Sequence, residues 1–140
     1  MTVKIKLKHI PFDWRIGNYD FDIITYPKNR TESLALRTSA YSSVTDRERD
    51  ILLLFDRVIE VRLHNFNFEE MYYSDFEIEN TLSKESFCFE VLNSDWLKQQ
   101  PFDSLNYQNF KHFLFWGYDS FIEVLADCVK IELVTSQDNC

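Results

Sequence analysis

Alternation of apolar and polar residues is the feature that most constrains the fold of this chain. In Thr2–Ile10, Val3, Ile5 and Leu7 alternate with lysines, and Val58–His64 has the same two-residue period. A period of two places successive side chains on opposite faces of a β-strand. The pattern therefore predicts strands that bury one face and expose the other.

Further segments are expected to be strands because apolar residues fill them and turn residues bound them. These segments are Tyr19–Tyr26, Ser33–Val44, Phe110–Trp116 and Phe121–Val134. Ile51–Phe55 is continuously apolar, and its periodicity does not decide between a buried strand and a short helix.

The C-terminal third predicts a β-hairpin whose turn contains Gly117. In the second arm, the apolar positions of Ile122–Ala126 are out of phase with those of Val129–Leu133. Such a change of phase requires one extra residue. We therefore expect a β-bulge near Asp127.

A short helix is predicted over residues 96–100. Asn93 and Ser94 precede it and are good N-cap residues, and Pro101 follows it. Together these elements indicate a mainly β fold, an antiparallel sandwich or half-open barrel of about seven or eight strands with one or two short helices. We expect residues 1–135 to form a single domain and residues 136–140 a polar tail.

The net charge of the chain limits which kinds of macromolecule can be its partner. The net charge is −8 and the isoelectric point is about 4.8. Nucleic acid and anionic membranes both require a cationic surface, so neither is an expected partner. A basic protein would be attracted instead.

Cys88, Cys128 and Cys140 are odd in number and show no CxxC spacing, which is typical of reduced thiols in a cytoplasmic protein. The amino terminus does not have the pattern of a signal peptide, and no apolar run is long enough to span a bilayer. We therefore expect a cytoplasmic location.

No catalytic or cofactor signature is present in the sequence. The two glycines, Gly17 and Gly117, stand far apart, whereas phosphate-binding loops need clustered glycines. The histidines lack metal-site spacing. We expect no cofactor, no metal and no catalytic residues. An enzyme would need His112 or His64 to lie against a carboxylate or a cysteine in a cleft.

The candidate partner-binding surface is an acidic, aromatic stretch, Glu69–Glu79, that contains no basic residue. Its candidate contact residues are Glu69, Glu70, Tyr72, Tyr73, Asp75, Glu77 and Glu79. In a strand, the last three carboxylates project from one face and repel each other. Three interpretations remain open: a solvated surface, a docking patch for a cationic protein and a divalent-cation site.

Three segments of the C-terminal half resemble the closing part of a known protein group. They are Asn93–Leu97, Lys111–Phe113 and the stretch from Tyr118 to Ala126. They are similar to segments of small, acidic, strand-rich immunity proteins, which neutralise toxins of contact-dependent and other polymorphic toxin systems. The resemblance implies a cytoplasmic inhibitor without catalysis and one cognate toxin domain as its partner.

The leading hypothesis is therefore a non-catalytic immunity protein that occupies the basic surface of its toxin. Many such toxins are nucleases, whose phosphate-binding surfaces suit an acidic inhibitor. The alternative is a small-molecule or lipid-binding β-sandwich with an aromatic-lined pocket between its sheets. An enzyme and a plain structural subunit are the remaining hypotheses. The sequence leaves the oligomeric state open.

Overall fold

Two β-sheets pack face to face in the computed structural model, which confirms the predicted mainly β, sandwich-type fold. The structure describes residues 4–10, 14–16, 21–28, 32–42, 48–65, 75–79, 88–100, 109–117 and 120–134. These residues form eleven strands and one short helix. The strands outnumber the expected seven or eight partly because two of them, Trp14–Ile16 and Phe76–Ile78, are too short to show an alternating pattern.

The strands are β1 (Ile5–His9), β2 (Trp14–Ile16), β3 (Asp22–Thr25), β4 (Glu32–Ser42), β5 (Glu48–Val58), β6 (Glu60–His64), β7 (Phe76–Ile78), β8 (Cys88–Val91), β9 (Lys111–Trp116), β10 (Phe121–Ala126) and β11 (Cys128–Leu133), and the helix is α1 (Asp95–Lys98). The first sheet has the order β6-β10-β9-β8-β1-β7. The second has the order β11-β5-β4-β2, and β3 also pairs with β4. Among these pairs only β1 and β7 run parallel.

The chain crosses between the sheets where β5 leads into β6 and where β10 leads into β11. Backbone hydrogen bonds join the two crossings to each other. The Ile59 N–H donates to the Leu125 carbonyl (2.8 Å), and the Asp127 N–H donates to the Asp56 carbonyl (3.1 Å). Arg57, with a φ of 54°, makes the bend in the left-handed region. The phase change expected near Asp127 is thus a change of sheet rather than a bulge within one strand.

The space between the sheets is filled by apolar side chains. Phe55 of β5 packs edge to face on Phe115 of β9, with ring centroids 5.4 Å apart, and both rings are fully buried. Leu34 and Leu36 of β4 belong to the same core. The Ile51–Phe55 segment, for which the sequence left two possibilities, is a strand that runs through this core.

The central strands β9 and β10 are also covered on their outer face. Leu114 and Phe121 lie there in a second apolar cluster, and Leu125 lies in a third with Trp96 of α1. Every residue of β10 is therefore buried. This second covering layer encloses polar side chains that an open sheet face would leave in water.

Two local predictions are confirmed. Helix α1 begins after Ser94, whose hydroxyl accepts the Leu97 N–H at 3.0 Å. β9 and β10 form an antiparallel pair joined by a bond from the Gly117 N–H to the Ser120 carbonyl. The hairpin residues Tyr118 and Asp119 and the predicted polar tail lie outside the described residues.

Candidate functional site

The acidic stretch is only partly described. Glu69, Glu70, Tyr72 and Tyr73 lie outside the described residues. Asp75, Glu77 and Glu79 are exposed, whereas Phe76 and Ile78 between them are half-buried against the second apolar cluster. The three carboxylates therefore alternate with core-facing residues, as the sequence predicts.

Lysines of β1 border the carboxylates. β7 runs parallel to β1, with Lys6 directly opposite Glu77. Lys4, Lys6 and Lys8 are exposed, and across the described residues Lys6 and Glu77 form no ion pair within 4 Å. β7 is the last strand in the order of the first sheet. On the edge of β7 away from β1, no basic strand lies beside the carboxylates in the described part of the chain.

A second polar site lies on the outer face of the first sheet. Oε1 of Glu123 on β10 is 2.8 Å from Nε2 of His112 on β9, and its Oε2 is 2.7 Å from Nε2 of His64 on β6. A carboxylate only accepts hydrogen bonds, so both Nε2 atoms are assigned as donors. One carboxylate thus joins three neighbouring strands. We call these three side chains the His–Glu network.

Helix α1 extends this network. The Ser94 hydroxyl lies 2.7 Å from Nδ1 of His112 and also accepts the Leu97 N–H. Trp96 meets His112 edge to face, at 5.2 Å between ring centroids, and its indole N–H donates to Glu60 at 3.0 Å. The network therefore fixes α1 on the sheet as well as linking the strands.

Burial and hydrogen bonding oppose each other at Glu123. Burial raises the pKa of its carboxyl, but the hydrogen bonds and charges of His112 and His64 outweigh burial, so the pKa lies below its ordinary value. The side chain is only 12% exposed. Elsewhere on this face, burial lowers the pKa of His9, whose ring packs against Phe89.

Arg62 lies at the edge of the network. It is directly opposite Glu123 on the neighbouring strand, but both carboxylate oxygens are occupied by the histidines. Its guanidinium instead lies over the Trp96 ring, 3.9 Å from the centroid. Among the described residues, the Arg62 side chain forms no ion pair and no hydrogen bond.

A pocket of about 290 Å³ opens onto this network. Its lining comprises Ile5, Arg62, His64, Val91, Asn93, Ser94, Asp95, Trp96, His112, Leu114 and Glu123. These residues belong to the outer face of the first sheet and to α1 with its cap, so the pocket does not lie between the sheets. A pocket of about 270 Å³ at the sandwich rim, between the first sheet and β11, is lined by charged residues such as Lys8 and Lys111 and by one phenylalanine, Phe113.

Ser94, His112 and Glu123 are the residue types of an acyl-transfer catalytic triad, but their hydrogen bonds are arranged differently. In the triad, Nε2 of the histidine faces the serine and Nδ1 faces the carboxylate. Here the two nitrogens are exchanged, and Glu123 binds a second histidine. Ser94 is buried and its oxygen is engaged as a helix cap. The arrangement is suited to holding the sheet and α1 together.

Sequence reasoning identified the histidines but not their partner. It named His112 and His64 as the residues that an enzyme would bring against a carboxylate, and the structure does bring both against one. The available signal for Glu123 was a single charge inside the apolar run Phe121–Ala126. A charge buried in such a run needs partners.

Comparisons with protein-family models, with curated proteins and with solved structures find no match to this chain. Within the described ranges, no group of three or more histidine, cysteine, aspartate or glutamate side chains is arranged to hold a metal ion. In the same ranges no helix has the length and apolarity needed to cross a membrane.

Proposed function

We propose that this chain is a non-catalytic binding protein that neutralises a toxin domain by covering its basic surface, as immunity proteins do. The net charge of −8 supports a cationic partner, because complementary charge speeds encounter and selects against other partners. The partner is a protein and not nucleic acid, since phosphate backbones require a basic footprint.

The observation that carries the proposal is the joint exposure of Glu77, on the last described strand of the first sheet, and of Asp75 and Glu79, which flank that strand. Like charges at this spacing repel each other, and among the described residues none of the three carboxylates forms an ion pair within 4 Å. A cationic partner would relieve the repulsion. Because Lys6 lies beside Glu77, the partner approaches from the edge of β7 that no other described strand covers. The remaining candidate contact residues, Glu69, Glu70, Tyr72 and Tyr73, lie outside the described residues and join the proposed surface on sequence alone.

The proposed setting is the cytoplasm, where a cell protects itself from its own toxin. Cys128, which is exposed, is a free thiol. Free thiols are usual in a reducing compartment.

The proposal is tested in the genome and in cells. A gene for a large secreted toxin is expected beside the gene for this chain, with a basic C-terminal domain. Co-expression of this chain with that domain is expected to restore growth, and the two purified proteins should form a stoichiometric complex. A neighbourhood without a toxin gene, or toxicity that this chain leaves unchanged, would contradict the proposal.

A further inference from the structure

The pocket beside the His–Glu network carries an inference that is independent of toxin binding. Its volume, about 290 Å³, is at the lower end of the roughly 300–1,000 Å³ typical of small-molecule sites. A ligand of this size has only a few heavy atoms beyond one functional group. The chemistry of the lining then indicates which group that is.

Among the described residues that line the pocket, Arg62 is the one lysine or arginine, and its side chain is exposed. Glu123, the carboxylate opposite it, is engaged by His112 and His64 through both oxygens. The guanidinium carbon of Arg62 lies 3.9 Å from the centroid of the Trp96 ring, in a cation–π contact. A planar guanidinium held in this way matches a carboxylate through two parallel hydrogen bonds.

The other lining residues set the charge and shape of the ligand. Ile5, which is half-buried, offers apolar surface to a short hydrocarbon body, and the buried Val91 and Leu114 lie behind it. Asp95, at the start of α1, and Glu123 contribute negative charges, which disfavour a dianion such as phosphate more strongly than a monoanion. A cation at Glu123 would compete with the histidine hydrogen bond that each of its oxygens already accepts.

We propose that this pocket binds a small organic monocarboxylate, with the carboxylate on Arg62 and a short apolar body against Ile5. His64 lies beside the bound carboxylate, since it lines the pocket and its side chain is 22% exposed. Trp96 holds Arg62 in place and acts as a positioning residue.

The test is an NMR titration of the purified chain with butyrate, hexanoate and phenylacetate, each compared with its neutral amide and with inorganic phosphate. We expect saturable shifts of the Trp96 indole N–H and of the His64 and His112 signals. Each carboxylate should bind at least about tenfold more tightly than its amide, because the amide lacks the charge that Arg62 recognises.

Variants separate the site from non-specific binding. Arg62→Gln should weaken carboxylate binding at least about tenfold. Arg62→Lys should have an intermediate effect, because it keeps the positive charge but loses the paired N–H donors of the guanidinium. Arg57→Gln is the matched control, since Arg57 also lies over an aromatic ring, that of Phe110, but does not line the pocket. Unfolding curves would confirm that the variants are folded.

Three results would overturn the proposal: no saturable shift with any carboxylate, equal binding of carboxylates and amides, or equal effects of Arg62→Gln and Arg57→Gln. Tighter binding of phosphate than of the carboxylates would also contradict it. None of these results depends on the toxin, so the failure of one proposal leaves the other standing.

Discussion

Ser94 and His112 are joined by a hydrogen bond of 2.7 Å, so the hydroxyl that caps α1 also fixes an imidazole of the sheet. The cap and the His–Glu network are therefore one connected unit. Since Glu123 carries the network on to His64, α1 is linked through side chains to β9, β10 and β6. The strength of this unit can be measured one side chain at a time.

Removing the Ser94 hydroxyl should uncouple α1 from the sheet. Ser94→Ala deletes the N-cap bond and the bond to His112, and we expect a loss of about 2 kcal/mol in the free energy of unfolding. Ser94→Asn keeps a capping oxygen and should lose about half as much. Urea unfolding measures both. Ser33, which is exposed, is the control, and an equal effect of Ser33→Ala would contradict the coupling.

Removing the Glu123 carboxylate should be more damaging, because it leaves His112 and His64 without their shared acceptor. We expect Glu123→Ala to cost about 3 kcal/mol of unfolding free energy, as for a broken buried ion pair. Glu77→Ala removes an exposed carboxylate and should change stability by less than about 0.5 kcal/mol. Chemical unfolding measures the free energy of unfolding of both variants. Equal losses in Glu123→Ala and Glu77→Ala would contradict a stabilising role for the His–Glu network.

Acid should weaken the fold through the same carboxyl. The pKa of Glu123 in the folded chain lies below its ordinary value of 4.5, so its contribution is complete above that pH and is lost as the pH falls through the folded-state pKa. The unfolding free energy of the wild type should therefore decline below pH 4.5, and that of Glu123→Gln should decline less. His9, whose pKa burial lowers, destabilises both proteins alike as it is protonated.

Parallel pH profiles of unfolding for the wild type and Glu123→Gln isolate this contribution. The difference between them should narrow as the pH falls. Profiles that stay a constant distance apart below pH 4.5 would show that the Glu123 carboxyl does not have a lowered pKa in the folded chain.

The sandwich itself depends on contacts between its sheets. Phe55 and Phe115 come from different sheets and are both fully buried. Phe55→Ala should reduce the free energy of unfolding by about 4 kcal/mol, since it removes a large ring and leaves a cavity. Leu133→Ala, at a residue that is 39% exposed, should cost less than about 1 kcal/mol. Comparable losses in thermal or urea unfolding would argue against a core at Phe55.

Local patterns predicted the elements that depend on local chemistry. The alternation in β1, the cap at Ser94 and the turn after Trp116 all reflect residues close in sequence. The parallel pairing of β1 with β7, which sets Lys6 beside Glu77, joins distant segments, and no short-range pattern encodes it. The sequence alone therefore did not show that a lysine lies beside the acidic stretch.

The His–Glu network shows the same limit. His112 and His64 were visible as candidates, but their meeting depends on β10 lying between β9 and β6. Apart from Glu123, Phe121–Ala126 is apolar, which is typical of a strand buried on both faces, and every residue of β10 is buried. The crossing at Asp127 appeared in the sequence only as a change of phase, which a bulge would produce equally well.

The central claim is that the exposed carboxylates of β7 bind a basic toxin domain. The most direct measurement is the dissociation constant of that domain for Glu77→Lys/Glu79→Lys, compared with Asp22→Lys/Glu132→Lys, which changes the net charge equally at other accessible positions. We expect a loss of affinity of at least about tenfold for the Glu77→Lys/Glu79→Lys variant and about twofold or less for the control. Equal losses would show that net charge alone attracts the partner, and an unchanged affinity in the β7 variant would place the contact elsewhere.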